Sequence, residues 1–505
     1  MSIWGFGEKR WTVIVISALL GLATIARAAE PDAERRLRLL EQQLQRTQEE
    51  MRRQQAELKQ LRGEMSQQKA VSRATEEQVQ HAADAADIAK AKTSKMPDWL
   101  SSLTPFGDVR FRYEGFYNQP HLEDQVVTAN NRERVRARVG LRFNYSDEVG
   151  ATVRIATGNV NDPISTNQTL TGNFTPFTVN LDWAYLTLAP GKTFNIRPGL
   201  VTVNAGKFPN PMFRVGELVF DEDLAPEGFN ETLALLDKPI GDPSILSLDQ
   251  LKLNAEQWTF SQVNNRADGW MFGGQVNPSM HIGPLMLEAG IGQYWWLNPD
   301  EIAQATSRNT TSYTASGAPV ANPNFNSSLV NTNQIVLQKI QPPTQKGGKQ
   351  PAAFAATTGF LSDFNQTNVT LQGTLPNVVR AQPVKFFLDF VNNWGAVSKG
   401  FGWQGGAQLG QTKTQGDWAA YALYEYIQQD AVISAFTWSD FGVGGTNQQG
   451  PVVGFAYQLL NPLTISTKAY FTSFIDRPWV ASQGTANFVN NPTQTRFQID
   501  ALVKF

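Results

Sequence analysis

The chain has no cysteine and only three histidines in 505 residues. Without thiols there is no disulfide framework, no thiolate nucleophile and no Cys-ligated zinc. His81, His121 and His281 include no two spaced as metal ligands on one element. No excess of one charge sign exists either: 43 Lys+Arg stand against 45 Asp+Glu, a net charge of −2, which gives no electrostatic footprint for nucleic acid. No uninterrupted apolar run reaches about eighteen residues, which excludes helical membrane spans.

Charge is sparse overall at 17%, and its distribution separates two regions. Residues 30–95 carry 13 basic and 12 acidic residues, 25 in 66 positions, whereas residues 98–505 carry 27 and 32, 59 in 408. The first stretch is solvated; the second is not an ordinary soluble surface. Ahead of both, Lys9-Arg10, the apolar run Trp11 to Ala23 and Ala26-Arg27-Ala28 are the three parts of a secretory signal peptide, expected over 1–28 with cleavage after Ala28. The competing reading is a buried N-terminal helix. No Cys follows the site, so a lipobox anchor is excluded.

From Leu37 the apolar spacing is seven: Leu37, Leu44, Met51, Leu58, Met65, then Ser72, Val79 and Ala86, with a second row through Leu40 and Leu61. A period of 3.5 predicts an α-helical coiled-coil stalk over 30–96, roughly 80 Å long, needing at least one more copy to bury its seam. Gln54, Gln68, Ser72 and Thr75 in the seam weaken it, so another element must hold the chains together. A single charged helix or a disordered linker remains the alternative. Pro97 ends the helix.

After Phe106-Gly107 the period becomes 2. Val109, Phe111 and Tyr113 alternate with Arg110, Arg112 and Glu114, and the stretch 132–143 alternates arginine with Val135, Ala137, Val139, Leu141 and Phe143. The same pattern recurs at 251–256, 385–390, 453–459, 463–472 and 496–505. Ten-residue segments with one apolar and one polar face, joined by alternately short and long connections, predict an all-β transmembrane β-barrel over 97–505. Sixteen antiparallel strands are expected, starting near 107, 131, 149, 178, 193, 229, 248, 269, 284, 366, 384, 400, 417, 449, 463 and 494. The even number puts both barrel ends on the side of the short turns Asp147-Glu148, Gly416-Asp417 and Asn461-Pro462. Segments 159–177, 208–228, 298–365 and 475–493 then form the outer loops. The 298–365 segment, rich in Asn, Thr, Ser and Gln, reads as a long surface loop.

Eight of this region's fifteen arginines fall between 110 and 154. Arg110, Arg112, Arg134, Arg136, Arg138, Arg142 and Arg154 share the even-numbered face. Arginine facing lipid costs about 2–4 kcal/mol near the midplane, so this face is predicted to line the lumen. Glu217, Asp221, Glu222, Asp223 and Glu227 lie within eleven positions after the fifth strand. Part of this loop is expected to fold inward against the arginines, making a constriction with a transverse field. The alternative places these acids on the outer rim, binding divalent cations or lipopolysaccharide, with the arginines paired structurally to Glu114, Glu133 and Asp182. Charges farther away than a screening length of about 8 Å are largely cut off, so local charge dominates, and a weak anion preference is expected despite a net −5 over 98–505.

The sequence FGDVRFRYEGFY, RERVRARVGLRF, ATGNVNDP, PNPMFRVGELVFDEDLAPEGF, LDFVNNW, GDWAAYALYEYIQQDAVISAFTWSDFGVGGTN and QIDALVKF, behind a signal peptide and heptad stalk, resembles the bacterial outer-membrane "putative porin" family. The resemblance implies a trimeric β-barrel diffusion channel in the outer membrane, with the stalk in the periplasm. It also implies that Phe505 is the carboxy-terminal aromatic signal read by the barrel assembly machinery, and it supplies no catalytic residue or cofactor.

No enzyme is expected. A Ser279–His281 pair would have to work on a lipid-facing wall, and Asp440 beside Gly442–Gly445 lacks the Lys-Ser/Thr of a phosphate cradle. Three functions follow: a general porin for small hydrophilic solutes, a phosphate- or oxyanion-selective porin, and an envelope tether whose stalk reaches the cell wall while the barrel anchors it.

Overall fold

Period-2 alternation builds the wall. The structure, a computed structural model, describes residues 98–118, 130–262, 267–344, 346–379, 382–442, 444–476, 479–481, 484–486 and 493–505. The expected signal peptide and stalk lie outside the described residues. The first eight strands are β1 (Leu103–Tyr117), β2 (Asn130–Asn144), β3 (Val149–Thr157), β4 (Val179–Leu188), β5 (Val201–Lys207), β6 (Glu227–Ala234), β7 (Leu246–Ser261) and β8 (Gly269–Ile282). The second eight are β9 (Leu285–Leu297), β10 (Asn365–Val379), β11 (Gln382–Asn393), β12 (Phe401–Gly410), β13 (Trp418–Ile427), β14 (Gln448–Leu460), β15 (Leu463–Phe474) and β16 (Gln494–Lys504). Each pairs antiparallel with its sequence neighbour, and β1 pairs with β16, so the sheet closes. Closure leaves no edge and satisfies every ladder donor inside hydrocarbon. Among the described residues, no helix is long and apolar enough to cross a membrane.

The alternation sorts side chains as its chemistry requires. On β1 and β3, Asp108, Arg110, Arg112, Glu114, Thr152 and Arg154 point inward and are buried, while Val109, Phe111, Val153 and Ile155 are exposed on the outer surface. The same split recurs far along the chain, with Phe386, Leu388, Val453 and Phe455 outside and Asp389, Gln498 and Asp500 inside.

The fifth strand begins at Val201, not near 193. Pro190 and Pro198 each remove a ladder donor, and Asn195 and Gly199 turn through positive φ of 53° and 73°. The segment 189–200 is therefore a turn, bonded from Gly191 N to Ala189 O and from Ile196 N to Gly191 O.

The long connection 298–364, hereafter L5, is more than a surface loop. It holds a short helix, Asp300–Ala305, and two hairpins, Asn309–Tyr313 with Pro319–Ala321 and Ile335–Ile340 with Phe354–Phe360. Its apolar residues Ile302, Ala303, Ala356 and Phe360 are buried, so a polar composition conceals a small core that folds over the barrel mouth.

Candidate pore and constriction

Strand register sets guanidiniums side by side. Arg110 stands opposite Arg136, and Arg112 opposite Arg134, all on the inward face. Like charges directly across a ladder destabilise it unless compensated, and the compensation comes from carboxylates on the wall strands and on two inward loops. From the wall, Asp108 accepts from Arg136 at 3.0 Å and Arg138 at 2.8 Å. Asp500 on β16 takes both the Nε and Nη2 of Arg112, at 2.7 and 2.8 Å. Glu114 receives Arg132 and Arg496, each at 2.5 Å, and Asp182 receives Arg154, whose guanidinium lies 3.2 Å from the Trp183 ring centre.

The remaining partners arrive on loops that fold inward. The loop 208–226 (L3) brings Asp223 to 2.9 Å from Arg138 and 3.6 Å from Arg136. The loop 428–447 (L7) brings Asp440 to 2.8 Å from Arg112 and 2.6 Å from Arg496. Burial would raise both acids, but the guanidiniums outweigh it. Arg136, Arg138 and Arg110 hold Asp223 below the ordinary carboxylate range, and Arg496 and Arg112 hold Asp440 well below it.

Of the sequence-predicted acids, Asp223 alone makes close contact with the arginines. Glu222 is largely exposed and reaches Arg136 only at 4.0 Å. Asp221 is buried and serves the loops instead, its carboxylate accepting from the backbone N–H of Asp223 at 2.8 Å and of Ser439 at 2.9 Å. Glu217 accepts from the Glu222 N–H at 2.9 Å, and burial beside Asp221 and Glu222 raises its carboxyl. Glu227 is not part of the loop's inward face: it opens β6 and pairs with Lys207 at 2.8 Å, because Lys207 and Glu227 are register partners. Of the structural pairings that the alternative reading assigned to the arginines, those to Glu114 and Asp182 are present, whereas Glu133 is exposed on the odd-numbered face and makes none among the described residues. Arg142, near the turn end, is exposed with its guanidinium 5.6 Å from the Phe106 ring centre.

L3 and L7 are clasped to each other. Asp221 N donates to Phe436 O at 2.8 Å, Trp438 N donates to Glu217 O at 3.2 Å, and the Thr437 hydroxyl donates to Leu218 O at 2.8 Å. L5 joins them through Asn333, whose amide donates to Gln429 O and Val432 O, both at 2.7 Å. Beneath the clasp Leu218, Val219 and Phe220 of L3 and Val432 and Ile433 of L7 pack on Trp258, Met271, Tyr294 and Trp296 of the wall. Gly216 permits this approach: a Cβ there would sit 2.2 Å from the Gln404 amide on β12. That amide, with its oxygen toward the loop, accepts from the N–H groups of Glu217 and Leu218 at 3.2 Å each. The lumen thus has a charged side on β1–β3 and β16 and a packed apolar side on β7–β9, with loops crossing between them.

Asp221 makes the clasp pH-sensitive. Burial first, then the charge of Asp223, pushes its carboxyl up to about 8. A raised carboxyl pKa favours the docked loop in its protonated form, so this contribution is complete below the unfolded value near 3.9 and declines as pH rises toward 8. Asp223 works in the opposite sense and is lost only as acid protonates it. L3 is therefore held most firmly in mild acid. Channel recordings from pH 6 to 9 should show larger or noisier conductance at the alkaline end, and Asp221→Asn should flatten that trend.

The sequence reading missed Asp108, Asp440, Asp500 and Arg496 as members of this network. Asp108, Arg496 and Asp500 sit on the same even-numbered face as the predicted arginines and could have been read from it. Asp440 lies in a loop without periodicity, and only the fold brings it to the wall.

A closed sixteen-stranded wall with a charged interior and inward loops defines a β-barrel channel protein of the outer-membrane type. The chain belongs to the "putative porin" family, whose pattern matches residues 117–491. Solved structures of similar fold include Pseudomonas putida OprB, at 10% identity and TM-score 0.43, covering 80% of this chain and 94% of that one. Others are the trimer form of Vibrio cholerae OmpT, at 11%, 0.39, 80% and 99%, and an anion-selective porin from Comamonas acidovorans, at 11%, 0.37, 80% and 99%. No curated protein matches the chain by sequence.

Proposed function

We propose that the protein is a passive diffusion channel for small hydrophilic solutes with a weak anion preference. The observation that carries this reading is the arginine wall facing Asp223 on L3. Eight arginines (Arg110, Arg112, Arg132, Arg134, Arg136, Arg138, Arg154 and Arg496) lie within 4.0 Å of seven carboxylates (Asp108, Glu114, Asp182, Glu222, Asp223, Asp440 and Asp500). The difference, eight minus seven, is one positive charge, enough for a mild bias and too little for a strong anion filter. A phosphate- or oxyanion-selective porin would need free cations, and Arg112 and Arg136 are only 2% and 3% exposed.

The partners proposed are outer-membrane lipid and further copies of the chain, as a trimer. The wall is low at β3–β6, whose strands have 9, 10, 7 and 8 residues against 15 in β1 and β2. At about 3.3 Å per residue and a tilt near 40°, the shorter of these fall below an apolar band of about 25 Å, so a neighbouring barrel is a better cover than lipid. Phe505 is proposed as the assembly signal, and the stalk as a periplasmic element that could reach the cell wall.

Planar-bilayer recording of the purified protein tests the channel reading. Discrete conductance steps and a small anion-directed reversal potential in a KCl gradient are expected. Absence of steps, or cation selectivity in the unmodified protein, overturns it.

A further inference from the structure

Above the constriction, L2 (158–178), L3, L5 and L7 line, with the upper ends of β3, β4 and β7, a half-open chamber of about 620 Å³, within the range of small-molecule sites. It is a braced space. Asn159 of L2 donates to the Ser328 hydroxyl of L5 at 2.7 Å, and Asn326 of L5 donates to Asn161 O at 2.7 Å. These two bonds hold the roof. Phe260 of β7 and Phe436 of L7 line one side, and both rings rest on Trp296, with centroids at 5.4 and 5.7 Å. The ring faces are thereby held by packing beneath them and remain only partly buried.

The lining also includes Asn161, Asp162, Asn180 and Asn324. Their amides and carboxylate supply donors and acceptors together. Three of the five described acids that line the chamber are paired locally: Asp182 meets Arg154 at 2.5 Å, Asp223 meets Arg138 at 2.9 Å, and Glu227 meets Lys207 at 2.8 Å; Asp162 and Glu301 are the other two. The chamber presents amide dipoles and carboxylate acceptors to a solute, and its one lining cation among the described residues, Lys207, is already paired with Glu227. A solute that uses it best has many hydroxyls, no net charge and one apolar face for the aromatic shelf.

From this we infer that the chamber is a binding site for a neutral saccharide of mono- to disaccharide size, which loads the channel from its outer mouth. The inference rests on the channel reading and deepens it. Amide and carboxylate side chains bridge adjacent hydroxyls, and the C–H face of a pyranose ring covers Phe260 and Phe436 while excluding water.

The test uses the full chain in detergent, titrated with maltose by calorimetry, with spermidine as the cationic probe and succinate as the anionic one. Saturable maltose binding in the millimolar range is expected, weakened about tenfold, or 1.4 kcal/mol, by Phe436→Leu. Asn324→Ala, at an exposed position, tests the polar side without touching the packed shelf and is expected to weaken maltose several-fold. No saturable maltose binding, tighter binding of spermidine or succinate, or wild-type maltose affinity in both variants overturns the inference. Bilayer conductance separates the two readings. Steps without maltose binding sink the saccharide site alone, whereas maltose binding without steps sinks the channel and leaves the site standing.

Discussion

Replacing Arg136 and Arg138 by Glu together is expected to reverse the ion preference. The double variant changes the local charge by four units beside Asp108 and Asp223. Unit charges a few Å apart in water interact by about 1 kcal/mol, and 1.4 kcal/mol is tenfold, so the anion-to-cation permeability ratio should fall by roughly an order of magnitude or more. Reversal potentials in a KCl gradient measure it. An unchanged potential would mean that ions pass along another part of the lumen. The variant also leaves Asp223 buried without its partners, and breaking a buried pair costs about 3–5 kcal/mol. Asp223→Asn is the control, since it frees the loop while keeping both guanidiniums, and it should strengthen the anion preference.

The second large effect is expected at Leu218, which is fully buried in the cluster where L3 meets L7 and the wall. Leu218→Asp removes an apolar side chain worth about 2–3 kcal/mol of burial and would force a carboxylate into a dry site. Either term exceeds what the few loop-to-loop hydrogen bonds return at about 1 kcal/mol each. L3 should leave the lumen, raising the single-channel conductance and exposing residues 208–226 to protease, while the barrel itself persists. A wild-type conductance step with a protected loop would show that the clasp does not narrow the passage.

These two sites differ in how far the sequence disclosed them. The arginine face was legible because a strand has only two faces, and the one carrying Val135, Val139 and Leu141 suits lipid while the arginine face does not. Fifteen of the sixteen strand starts were legible for the same reason. The exception, β5, was displaced by Pro190 and Pro198, whose effect on the ladder outweighs the weak alternation around them. The inward turn of L3 was partly legible in its acids, although Asp223 alone reaches the wall closely. L7 was not legible at all. Val432, Ile433, Ala435 and Phe441 are buried in a segment with no helical or strand period, and periodicity is the signal that makes apolar residues interpretable. L5 failed similarly, because its small core is assembled from residues scattered among Asn, Thr and Ser.

The seam between β1 and β16 has a consequence for biogenesis. Arg112 and Asp500, bonded across it, are 388 positions apart, and Gly107 and Phe505 exchange backbone hydrogen bonds there. Until the final hairpin is delivered, the nascent wall is an open sheet with two adhesive borders, the kind of intermediate that sticks to its own copies. The cell must therefore keep nearly the whole polypeptide escorted and unzipped during transit, and a ribosome that stalls short of β16 releases a product that cannot be sealed.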